Sequence, residues 1–178
     1  MLPQDSPHVN AKDCLIVNTS PVMVDALSYA RRGWPVLPLH SIAPDGRCTC
    51  HRPGCTSPGK HPRTEHGLKD ASANELTIRR WWRDWPDANV GIVTGPESGL
   101  LVLDIDTRNG GAASLAALEQ AHGPLPRTVQ VVTGSGGLHI YFAYRADSSV
   151  RNSAGKLGPG LDSRGDGGFV VAPPSLHA

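Results

Sequence analysis

From position 23 onward the chain switches between two hydrophobic periods. MVDALSYARRG, residues 23–33, places Met23, Ala26, Leu27 and Ala30 on one face at helical spacing and stops at Gly33, which predicts a helix closed by glycine. WPVLPLH follows as a strand whose prolines suit a sheet edge or strand ends. SANELTIRRWWRDWP predicts a second helix. Ile78, Trp81, Trp82 and Trp85 recur at i, i+3, i+4 and i+7, Ser72 and Glu75 have capping-box spacing, and Arg79, Arg80 and Arg83 fall toward solvent. The helical period makes the tryptophan stripe core rather than a base-stacking platform.

Further along, NVGIVTG and GLLVLDID predict two adjacent strands across the turn PESG. GAASLAALEQAHG predicts a short helix, TVQVVTG a strand, and LHIYFAY another strand across the glycine turn SGG. GLDSRGDGGFVVAPPS predicts a hairpin, with one strand near Leu161, a turn at Gly165–Gly168 and a second strand FVVA. Residues 1–22 are polar and punctuated by proline, and are expected to form a loosely held arm. Strands meet through short turns more often than through helices, so the fold class expected is α+β, a mixed, largely antiparallel sheet with helices against it.

A chain of 178 residues fits one domain and can bury a core without staples. No apolar run reaches membrane-spanning length, and no basic segment followed by an apolar one opens the chain, so a cytoplasmic protein is expected. A formal net charge of +1 excludes general adhesion to nucleic acid and requires any such binding to come from a local basic patch.

Four segments carry candidate chemistry. In LLVLDIDTRNGG, Asp104 and Asp106 fall at i and i+2 on an apolar strand and share a face with Val102. Two converging carboxylates need protonation, a basic partner or a divalent cation; alternatively the strand ends early and the acids cap the following turn. In RCTCHRPGCTSPGKHP, Cys48, Cys50, Cys55 and His61 form C-x-C-x4-C-x5-H, suited to a tetrahedral zinc that would organise a polar loop lacking its own core. His51 is the alternative fourth ligand, Cys14 stands apart, and free or disulfide-bonded cysteines are the competing account. Four protein ligands would close the site, making it structural.

In VVTGSGGLHIYF, a glycine-rich turn could leave N–H groups free for an anion, with Ser135 and His139 as further donors, although such a turn is also an ordinary hairpin. In LDSRGDGG, Asp162 and Arg164 fall at i and i+2, either as site residues or as an exposed ion pair.

In this order, a strand ending in D-x-D, S-G-G-L-H leading into an aromatic strand, and D-S-R-G-D-G-G-F-V-V-A-P-P-S, the set resembles the bifunctional primase-polymerase (Prim-Pol) domains of the archaeo-eukaryotic primase superfamily. YARRGWPVLPL, GKHP, GLKDAS and WWRDWPDANVGIVTG are similar to that family's amino-terminal half, so the resemblance runs from about residue 24 to the end. It implies an RNA-recognition-motif-like catalytic sheet flanked by helices, joined to a smaller N-terminal α/β subdomain. The domain would span 23–178, with the zinc loop as an insert at 46–63 that simpler members lack. The resemblance makes Asp104, Asp106 and Asp162 ligands of catalytic magnesium or manganese. It assigns Ser135, Gly136 and His139 to the incoming triphosphate, Arg164 to a phosphate, and Lys60 to nucleotide or template.

The implied activity is template-dependent joining of nucleoside triphosphates on single-stranded DNA, as primase, polymerase or both, with primer and template as partners. Family chains usually continue, often into a helicase, so a fragment of a plasmid or phage replication protein is expected. A metal-dependent nuclease or phosphohydrolase could use the same carboxylates without a triphosphate cradle. A zinc-stabilised nucleic-acid-binding module without catalysis, and more distantly a nucleotide-sugar transferase, are the remaining alternatives.

Overall fold

The structure is a computed structural model that describes residues 20–147 and 149–177. Residues 1–19 of the expected arm, with Cys14, lie outside the described residues. The arm's expected boundary moves, because Pro21 and Val22 already belong to the first helix. Helix α1 spans Pro21–Arg31; Ser20 caps it by accepting from the Met23 N–H at 3.2 Å, and Pro21 at its start has the fixed φ a first turn requires. The remaining elements are β1 (Val36–Leu39), α2 (Glu75–Asp84), β2 (Asn89–Val93), β3 (Leu100–Ile105), α3 (Gly111–His122), β4 (Gln130–Val132), β5 (Leu138–Ala143), β6 (Leu161–Arg164) and β7 (Phe169–Ala172). Among the described residues no helix is long and apolar enough to cross a membrane.

The α+β class is observed, and the strands divide into two antiparallel sheets, ordered β1-β2-β7 and β4-β5-β3-β6. β1, with Pro38 inside it, is an edge strand as its prolines predict. Two expected pairings are corrected. β2 and β3 are not neighbours in a sheet, and β6 and β7 do not form a hairpin: in each case the intervening turn carries the chain from one sheet to the other. The two crossings pack together. The Thr94 N–H donates to Gly168 O at 3.0 Å, the Thr94 hydroxyl donates to Gly165 O at 2.8 Å, and a Cβ on Gly95 would lie 2.7 Å from the Asp166 Cα. These backbone contacts explain why so glycine-rich a turn leaves its own sheet instead of folding back.

The start of α2 is also corrected. Its cap is Asn74, whose side chain accepts from the Thr77 N–H at 3.1 Å, while Ser72 accepts from the Asn74 N–H; Glu75 pairs with Arg79 on the helix surface. Ser72 lies two residues before the cap and does not reach the helix.

Ile78, Trp81 and Trp82 are buried with Met23, Ala26 and Leu27 of α1 against Val90 and Ile92 of the first sheet and Val102 and Tyr141 of the second. Trp85 packs at the margin of this core. A separate cluster of Ile105, Ile140 and Leu161 packs under Leu115 and Leu118 of α3. Strand β3 thus gives Ile105 to α3 and Val102 to the main core, and the next residue on the Val102 face is Asp104.

A cleft between the sheets as candidate active site

The register of three strands builds a polar row. Asp104 of β3 lies opposite His139 of β5 on one side and Asp162 of β6 on the other, and the preceding row brings Val102 opposite Arg164. Arg164 reaches diagonally back: its Nη2 donates to Asp104 Oδ2 at 2.9 Å and to Asp162 Oδ2 at 2.8 Å. His139 Nε2 stands 3.5 Å from Asp104 Oδ1. Burial opposes the charge on Asp104, but His139 and Arg164 outweigh it and hold the carboxyl below its ordinary range. His139 is 8% exposed, and its Nδ1 is buried without a hydrogen-bond partner.

Asp106 is engaged differently. β3 ends at Ile105, and Asp106 caps a short 3₁₀ turn, Thr107–Asn109, by accepting from the Arg108 N–H at 3.0 Å and from Asn109 Nδ2 at 2.7 Å. The turn-capping account and the sheet-face account therefore each describe one acid. Asp162 also accepts from the Gly155 N–H at 2.8 Å.

The glycine-rich turn between β4 and β5 sits against the end of β3; a Cβ on Gly137 would collide with the Ile105 carbonyl. Gly136, at φ +81, donates its N–H to Thr133 O, and the Gly137 N–H goes to Thr133 Oγ1 at 3.0 Å. Two of the N–H groups expected to be free are thus consumed by the turn, and Ser135 Oγ lies 3.2 Å from Thr133 Oγ1. Gly136 does not line the cleft that its neighbours face.

That cleft has a volume of about 980 Å³ and brings Asp104, Asp106, Ser135, His139, Asp162 and Arg164 together with Lys60 from the cysteine loop. It also contains Arg108, Asn152 and His177, which sequence reasoning missed. Arg108 carried a signal, a cation directly after D-x-D, and its Nε is 3.5 Å from Asp106 Oδ1.

The donor chemistry of Asp104 and Asp162 fits a hard cation, since both already turn an oxygen toward one positive charge. The three carboxylates are not gathered into a cage. Among the described residues the one set of three or more such donors lying within 4.8 Å of one another is Cys48, Cys50, Cys55 and His61.

That set could hold zinc. His61 Nε2 is 3.4 Å from Cys48 Sγ and 3.5 Å from Cys55 Sγ, close to the ~3.5 Å edge of a tetrahedron with ordinary zinc bond lengths. Backbone N–H groups of Gly59 and Arg52 point at the sulfurs of Cys48 and Cys50. Burial works against the Cys48 thiolate, yet N–H donors from Cys50 and Gly59, with Cys50 and His61, bring its pKa down to about 6. Cys55 receives an N–H from Ser57, but burial and the neighbouring thiols hold it up. The fourth donor is His61; His51 is exposed, at φ +54, and outside the cluster. The loop is fastened to the end of β1, with His40 N–H donating to His61 O and bridges joining Leu39 to Pro62 and Ile42 to Cys48.

Comparison with protein families matches residues 26–178 to the model described as bifunctional DNA primase/polymerase, N-terminal. No curated protein matches the chain.

Proposed function

Because the chain belongs to the bifunctional DNA primase/polymerase (Prim-Pol) family, we propose that its cleft joins nucleoside triphosphates on a single-stranded DNA template. The observation that carries this reading is the row His139, Asp104, Asp162, with Arg164 bridging the two carboxylates in a cleft of about 980 Å³. Asp104, Asp106 and Asp162 would hold magnesium or manganese, which when bound lowers the pKa of a 3′-hydroxyl and neutralises charge on the reacting phosphate. Asp104 is suited to this because its neighbours keep it ionised.

His139, Ser135 and Arg164 face the triphosphate. Arg164 exchanges carboxylate oxygens for phosphate oxygens when nucleotide enters, and its planar fork suits either partner. Lys60, from the cysteine loop, meets the same polyanion. The Cys48, Cys50, Cys55, His61 site holds zinc in a closed, structural role, and residues 23–178 form the catalytic unit with 46–63 as an insert. Template and primer are the nucleic-acid partners.

The test is labelled-nucleotide incorporation on single-stranded DNA with manganese, with and without a primer. Extension or priming that disappears in Asp104→Asn supports the reading. Degradation of the DNA with no nucleotide requirement would replace it with a nuclease, and template binding without incorporation by the parent protein would reduce the domain to a binding module.

A further inference from the structure

Asn89, the first residue of β2, is 2% exposed, and an amide that deep needs its hydrogen bonds satisfied. Its partners come from two segments far apart in the chain. Nδ2 donates to Gly59 O at 2.9 Å and to Leu176 O at 2.8 Å, and Oδ1 accepts from the Leu176 N–H at 2.9 Å. Gly59 belongs to the cysteine loop, and Lys60 follows it into the cleft. Its φ of +73 and the 3.2 Å that would separate an added Cβ from Asn89 Nδ2 make glycine a requirement there.

Leu176 belongs to the segment after β7. Ser175 ties that segment to Val90, accepting from the Val90 N–H at 2.9 Å and donating to Val90 O at 3.3 Å. His177 then lines the cleft beside the glycine-rich turn, where a Cβ on Gly134 would lie 2.5 Å from its own Cβ. Leu176 is 67% exposed, so apolar packing does not fix this segment; hydrogen bonds do.

We propose that Asn89 is a positioning residue for the cleft. It holds Lys60 on the cysteine loop and His177 on the last segment at a set separation, so that both face one polyanionic ligand, and it touches that ligand nowhere itself. The role rests on the nucleotide reading given above and extends it to a residue outside the carboxylate row.

The test is equilibrium binding of dATP with manganese, with zinc content and thermal melts measured in parallel. Asn89→Leu, close in size but unable to make the three bonds, should weaken binding about tenfold, since small misplacements of binding groups carry penalties of this order. In a Lys60→Ala/His177→Ala background the same change should have no further effect. Leu176→Pro removes one N–H from an exposed position and should show a smaller version of the same pattern, which covers the case of an Asn89→Leu protein that does not fold. Parental affinity in both variants, or an undiminished effect in the double-variant background, would overturn the role. A parent protein that melts cooperatively, holds zinc and fails to bind dATP would instead remove the nucleotide reading, and the positioning role with it.

Discussion

Asp104 and Asp162 face each other across adjacent strands, and one nitrogen of Arg164 lies 2.9 Å from the first and 2.8 Å from the second. The repulsion between the paired acids is thereby offset within the protein, one positive charge against two negative ones. Two like charges alone would repel, and removing one would relieve the fold; with Arg164 between them the sign reverses.

Asp104→Asn should therefore lower the melting temperature slightly in metal-free buffer, by about 1 kcal/mol of stability, between the values for exposed and buried ion pairs. Incorporation should be lost. Because the folded-state pKa of Asp104 is depressed, its contribution is present above the ordinary carboxylate range and disappears as pH falls below it. Melts of parent and variant should therefore converge in acid. A variant more stable than the parent at neutral pH would contradict this account of Arg164.

Asp106 separates two roles in one residue. Asp106→Asn keeps an oxygen for the Arg108 N–H and loses only the exposed bond from Asn109, so it should cost less stability than Asp106→Ala, which removes the cap and should cost about 1 kcal/mol. Both should abolish incorporation. Full activity in Asp106→Asn, with a normal melt, would leave this acid a turn cap and nothing more.

His139→Ala should weaken nucleoside triphosphate binding about tenfold, through the loss of one hydrogen bond to a charged group. The change also removes a buried imidazole, so thermal melts should be run beside the binding titration. Equal affinity in a folded variant would make the histidine a packing residue.

Purified protein should contain one zinc per chain, bound by Cys48, Cys50, Cys55 and His61. Without metal, Cys48 has a folded-state pKa of about 6, below its unfolded value, so zinc affinity should weaken as pH falls through about 6, with release at lower pH because bound zinc itself favours the thiolate. Cys55→Ser should lower Tm by several degrees. Metal analysis across a pH series decides the matter, and zinc-free protein with an unaltered melt in chelator would dismiss the site.

The helices were legible because their signal is local. The tryptophan stripe and the Met23, Ala26, Leu27, Ala30 face each follow one period and bury as that period requires. Strand positions were legible for the same reason, but their partners were not. Gly165–Gly168 has the composition of a hairpin turn, and nothing within it reveals that Thr94 and Gly95 from another crossing will claim its backbone. In the site, acids and histidine stood out against apolar strands. Asn89 did not, because a lone amide at a strand end has no pattern, and its meaning lies in Gly59 and Leu176 far away in sequence.

The central strand of the first sheet, β2, is flanked by β1 and β7, and all of β3 to β6 is synthesised between its two partners. A chain emerging from the ribosome can pair β2 on one side at once, while Val90 and Ile92 stay on a bare edge until Phe169–Ala172 arrives. Pairing across so long a separation is slow, and an unpaired apolar strand is meanwhile a template for other chains. The domain is thus exposed to aggregation while residues 94–168 are being made, and it cannot be shuffled as two halves. A piece ending in the Gly165–Gly168 turn would carry Asp104, His139 and Asp162 and still lack the strand that finishes its first sheet.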